Sequence, residues 1–136
     1  MAELTITAAN VLEGAGAVVE TTCTFGETIT IGMPVYKHVT TGKLMKAVST
    51  SAAAALVYGI TLNGGSLDQP AAVIRAGTYV VGATLSIGEV YVLAETAGKI
   101  QTAAETLQGE FVTVLGIATT AANLLLGITA SGIAHA

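Results

Sequence analysis

Apolar and polar residues alternate along this chain in short runs, and the runs recur. Thr28-Ile29-Thr30-Ile31-Gly32-Met33-Pro34-Val35-Tyr36 reads as a short half-buried strand, a glycine corner and a second strand opening on Val-Tyr. The same text returns as Thr84-Leu85-Ser86-Ile87-Gly88-Glu89-Val90-Tyr91. The glycines are 56 positions apart (88 − 32 = 56) and Tyr36 and Tyr91 are 55 apart, which places a one-residue slip at Met33-Pro34 against Glu89. Downstream, Thr41-Gly42-Lys43-Leu44 matches Ala97-Gly98-Lys99-Ile100, and Leu56-Val57-Tyr58-Gly59-Ile60 matches Thr113-Val114-Leu115-Gly116-Ile117. Upstream, Gly26 matches Gly82, and Ala17-Val18-Val19 lies over Val73-Ile74-Arg75.

This self-similarity divides one domain, 1–136, into an N-terminal arm (1–14), unit one (15–70), unit two (71–126) and a C-terminal tail (127–136). Two units are too few for a solenoid. The expectation is an all-β fold with little or no helix, a compact β-sandwich or small β-barrel. Its two tandem units, each of about 56 residues, are expected to be related by pseudo-twofold symmetry, each covering the apolar face the other exposes. The pattern predicts about a dozen short strands, among them 27–31, 35–40, 43–48, 56–62, 72–75, 78–81, 84–87, 90–94, 99–102, 110–118 and 124–129. Ser49–Ala55 and Ala103–Gly109 are read as loops with room for one helical turn.

Composition changes the picture at the surface. The chain is 52% hydrophobic and only 10% charged, where an ordinary soluble domain carries roughly 25% charged residues. Such a skin is poorly defended against association, so we expect much of it to be covered by copies of the chain or by a larger assembly. The net charge of −4 and the scattered positions of Lys37, Lys43, Lys46, Arg75 and Lys99 argue against nucleic acid as a partner. Cys23 is alone, so no intramolecular disulfide forms. The N-terminal residues lack the basic and apolar regions of a signal peptide. The uncharged stretches 47–67 and 111–134 are broken by Gly, Ser, Thr and Asn, which speaks against a membrane span.

Candidate chemistry is sparse. Gly42-Lys43 and Gly98-Lys99 sit inside hairpins and lack the glycine-rich run a phosphate loop needs. Cys23 and His38 have no further ligands nearby in sequence to complete a zinc site, and His135 is the penultimate residue. Glu89 with Glu95, and Glu105 with Glu110, would need to converge in a cleft to do paired-carboxylate chemistry. Phe25, Tyr36, Tyr58, Tyr79, Tyr91 and Phe111 fall at strand positions and suit a shared core. No catalytic, cofactor-binding or metal-binding residue is assigned, and the chain is read as a non-enzyme.

The order of elements resembles a known family. Ile-x-Ile-Gly, Val-Tyr, a Gly-Lys hairpin, an Ala-rich stretch, Val-x-Gly-Ile and a Gly-Gly turn follow one another as in the small Ala/Thr/Gly-rich decoration (cement) proteins of tailed-bacteriophage capsids. The closest text is Ala83 to Leu93, followed by Gly109 to Thr119. The resemblance implies an all-β structural protein without cofactor. It would bind the major capsid protein on the outside of the virion after assembly in the host cytoplasm, often as a homotrimer, with no nucleic-acid or membrane partner. A tail-fibre or surface adhesin module is the alternative; it would need a ligand-reading surface. Leu4, Ile6, Val11 and Leu12 of the arm, which lies outside the repeat, are the candidate contacts to the capsid or a neighbouring subunit.

Overall fold

The computed structural model describes residues 3–136; Met1 and Ala2, where the expected arm begins, lie outside the described residues. Ten strands form among them: β1 (Leu12–Glu13), β2 (Val18–Thr24), β3 (Pro34–Lys37), β4 (Leu44–Lys46), β5 (Val57–Thr61), β6 (Pro70–Val80), β7 (Val90–Leu93), β8 (Ile100–Thr102), β9 (Phe111–Ala118) and β10 (Asn123–Ala134). They make one antiparallel sheet in the order β4-β3-β5-β6-β10-β9-β7-β8, with β1 and β2 also paired to β6. The sheet curls into a half-barrel, so the all-β class holds. Helical structure among the described residues is two short 3-10 turns, Ala8–Asn10 and Ala103–Glu105.

The curl originates in β6. Its residues Val73 and Ile74 pair with β5, while Gly77 to Val80 pair with β10. Between the two partners Gly77 adopts φ +91, a left-handed conformation that glycine takes without steric cost. Ile74 and Tyr79 both enter the same core although they stand five positions apart (79 − 74 = 5), an odd offset. In a regular strand they would face opposite ways, so the strand turns its face over at Gly77. The sequence pattern split this stretch into strands at 72–75 and 78–81; the structure keeps them as one bent strand. β10 likewise runs unbroken through the tail.

The repeat is legible in the ladders. Pro34, Val35 and Tyr36 lie opposite Ile60, Gly59 and Val57, and Val90, Tyr91 and Val92 lie opposite Ile117, Gly116 and Val114, with an irregularity at the same step. Lys37 opposite Leu44 is matched by Leu93 opposite Ile100. Ile60 opposite Ile74 is matched by Ile117 opposite Leu125. The slip therefore does not fall at Met33-Pro34. It falls in the longer connection between β8 and β9, so Val35, not Tyr36, corresponds to Tyr91. The motif itself is also corrected: 28–31 and 84–87 are not ladder strands, because Gly32 and Gly88 (φ +86 and +82) turn the chain out of the sheet. These segments lie over it instead, inserting Ile29 and Leu85 into the cores.

Lateral neighbours in a sheet share a face, which identifies what meets what. The ladders also move the boundary between the units: the first half of β6, through Arg75, matches β10 and so closes unit one, which was expected to end at residue 70. In unit one so bounded, Ile60, Ile74 and Val57 form one face and enter the large core. Val35, Leu44 and Val73 form the other and enter a small core with Phe25 and Ile29. In unit two the counterparts of Val35, Leu44 and Val73 are Tyr91, Ile100 and Leu124, and these are the residues in the large core. The first face of unit one thus packs on the second face of unit two. Equivalent faces do not meet, as the expected pseudo-twofold arrangement requires; the units follow one another as neighbours in a stack do. One face at each end of the stack is left over.

Candidate functional site

The two ends are finished differently. At the unit-one end, the positions that correspond to Leu93, Leu115 and Leu126 of unit two are occupied by Lys37, Tyr58 and Arg75. The three leucines are buried in the large core. Their counterparts stand at the surface: the Arg75 guanidinium lies 3.7 Å and the Lys37 ammonium 5.1 Å from the centre of the Tyr58 ring. Glu20 completes the cluster, accepting hydrogen bonds from the Tyr58 hydroxyl and, at 2.8 Å, the Thr22 hydroxyl, with Arg75 Nη1 3.6 Å away. The hydrogen bond from Tyr58 holds the Glu20 carboxyl below its ordinary range, and the same bond pushes the Tyr58 phenol up to about 12. A terminal repeat needs such a polar outer face to end in water. The cluster brings together two of the five basic residues, Lys37 and Arg75, over Tyr58, which also packs against the small core.

The unit-two end has no such cap. Across β7, β9, β10 and β6 a row runs Val90, Ile117, Leu125, Thr78, and beside it run Thr119, Asn123, Val80 and Leu12. No member of either row is charged. Ile117 and Leu125 are each 47% exposed, whereas their counterparts Ile60 and Ile74 are fully buried. The difference is position alone: unit two covers the first pair, and among the described residues nothing covers the second. A cleft of about 410 Å³ opens beside Val80, lined by Thr5, Thr7, Asn10 and Thr84.

Of the four arm residues singled out from sequence, only Leu12 lies on this open face, 58% exposed. Leu4 and Ile6 are partly buried against the large core, and Val11 is buried within it. The arm is held down by the Leu4 N–H on the Ile100 carbonyl and the Thr7 N–H on the Gly82 carbonyl, both at 2.8 Å. Val11 and Ile6 fill the space over Gly32, where a side chain would crowd them. The open face itself escaped sequence reading because Ile60 and Ile117 occupy the same motif; only the packing distinguishes them.

The remaining polar residues do not converge on a reactive centre. His38 Nδ1 accepts the Thr40 and Thr41 N–H groups within its own hairpin turn, and buried Cys23 faces Glu20. Lys43 pairs with Asp68. Among the described residues no cluster of three or more His, Cys, Asp or Glu could hold a metal ion, and no helix is long and apolar enough to cross a membrane.

A buried seam that sequence reading missed does join the units. The Glu110 carboxylate accepts the Ser49 hydroxyl at 2.6 Å, the Gln101 amide at 3.3 Å and the Leu107 N–H, while the Phe111 N–H donates to the Ser49 carbonyl at 2.7 Å. Removing the carboxylate strands the two buried donors, the Ser49 hydroxyl and the Gln101 amide, which costs roughly 1–3 kcal/mol. Glu110→Ala should accordingly lower the urea midpoint without altering the secondary structure seen by circular dichroism.

No protein-family model matches the chain, and no curated protein matches it.

Proposed function

We propose that this chain is a capsid decoration protein: a structural subunit that binds the outer surface of a tailed-phage shell, through the major capsid protein, and stabilises it by contact alone. The observation that carries the reading is the asymmetry of the stack, capped by Lys37, Tyr58 and Arg75 at one end and left uncharged, with Leu12, Ile117 and Leu125 exposed, at the other. A domain built to stay alone would finish both ends. The resemblance of the Ala83 to Leu93 and Gly109 to Thr119 text to the decoration proteins suggests the identity of the larger assembly. Reinforcing a shell requires no reaction and no deep pocket, only a modest contact repeated at every symmetry-related site.

Co-sedimentation with empty shells of the major capsid protein encoded beside this chain tests the reading. Binding should saturate at a fixed number of copies per capsid protein, and decorated shells should withstand heat that opens bare ones. Absence of binding would overturn the reading, and a gene lying among tail-fibre genes would favour the fibre or adhesin module instead.

A further inference from the structure

We infer that the uncapped face of unit two is the contact between two copies of this chain, which meet through the same face on each. The inference deepens the decoration reading, since it names the surface by which bound copies hold one another.

Three observations fix the occupant. Within the chain, the face carrying Ile60 and Ile74 is sealed by the opposite sheet face of the next unit, so this kind of face is built to be covered by a sheet. A third unit added in the same sense, from another copy, would have to present its unit-one end. That end carries Lys37, Arg75 and Glu20. Burying those ions against Val90, Ile117 and Leu125 would strip their hydration with no opposite charge on the facing rows, a cost of several kcal/mol per ion. Head-to-tail growth is therefore blocked.

The remaining sheet face of matching chemistry is the uncapped face itself, four strands wide and about 14 Å across at ~4.8 Å per strand. A face that meets its own copy does so about a twofold axis and closes after two subunits. Ile117 and Leu125, directly opposite each other across β9 and β10, lie at the centre of the contact, with Leu12 and Val90 toward its margins. This is a twofold pair, not the threefold association that the family resemblance implies.

The test is the mass of the purified full-length chain by sedimentation equilibrium, without capsids, so that its outcome is independent of shell binding. The wild type should weigh as a dimer at tens of micromolar. Ile117→Glu should be monomeric at the same concentration, with an unchanged circular-dichroism spectrum, and Leu125→Glu supplies the same readout should the first variant fail to fold. Val39→Glu, at an exposed hairpin tip away from the face, should remain dimeric. A monomeric wild type, a trimeric mass, or a dimer that survives both glutamates overturns the inference. A dimer that dissociates as described but fails to bind shells leaves the inference standing and removes the capsid reading.

Discussion

Gly77→Ala will cost about 2–6 kcal/mol and lower the unfolding midpoint steeply. Two separate penalties add. A side chain at φ +91 carries strain of order 1–3 kcal/mol. A Cβ at this position would also stand 2.2 Å from the Gly16 carbonyl oxygen and 2.7 Å from the Ala17 Cα. Those are backbone atoms held by the pairing of β2 with β6 and by the Thr78 N–H on the Ala15 carbonyl, so they cannot step aside as a side-chain end would. Overpacking of this kind adds roughly 1–3 kcal/mol, against a total stability of about 5–15 kcal/mol for a domain.

Relieving either penalty in β6 by straightening the strand would put Ile74 and Tyr79 on opposite faces and take one of them out of the large core. Thermal or urea unfolding of the purified variant checks the value. A Gly77→Ala protein within about 1 kcal/mol of wild type would show that the face of β6 does not turn over there. Gly16→Ala is the control: it has a comparable φ of +70 but open space around the added carbon, so it carries the strain alone.

Much of the architecture is legible in the sequence. The Gly-bounded runs gave the strands from β3 to β5 and from β7 to β9 close to their observed limits, because alternation in short strands reflects a half-buried surface directly. The spacing of Gly59 and Gly116 located the paired strands β5 and β9, and their reason is now clear. At both positions an added Cβ would strike a neighbouring carbonyl, of Ile74 at 2.6 Å and of Leu125 at 2.2 Å.

What failed was anything that depends on which face a strand shows. Thr28–Ile31 alternates as a strand does, yet its partner is a bridge to Gly65 and its isoleucine plugs a core from above. Tyr36 and Tyr91 look equivalent in the text, but the register pairs Tyr91 with Val35. The candidate surface was hidden for the same reason. Leu12 stood out as an arm residue, while Ile117 and Leu125 read as ordinary core, because the sequence carries no mark of the turnover at Gly77 that exposes them. The polar cap shows only in the ladders, where Arg75 takes in β6 the place that Leu126 has in β10.

That contrast between equivalent positions gives the most direct measurement of the account. Ile60 and Ile117 are the same residue at matching places in the two ladders, one fully buried and one 47% exposed. Urea unfolding of Ile60→Ala and Ile117→Ala should be compared at a protein concentration low enough for monomers and again at a high one. Ile60→Ala should lose about 2–5 kcal/mol at both, as truncation of a sealed core side chain does. Ile117→Ala should lose less than about 1 kcal/mol when dilute and distinctly more when concentrated, because only a second copy covers it. Equal losses at the two positions in dilute solution would mean that both faces are sealed within one chain, and the stack with one open end would be wrong.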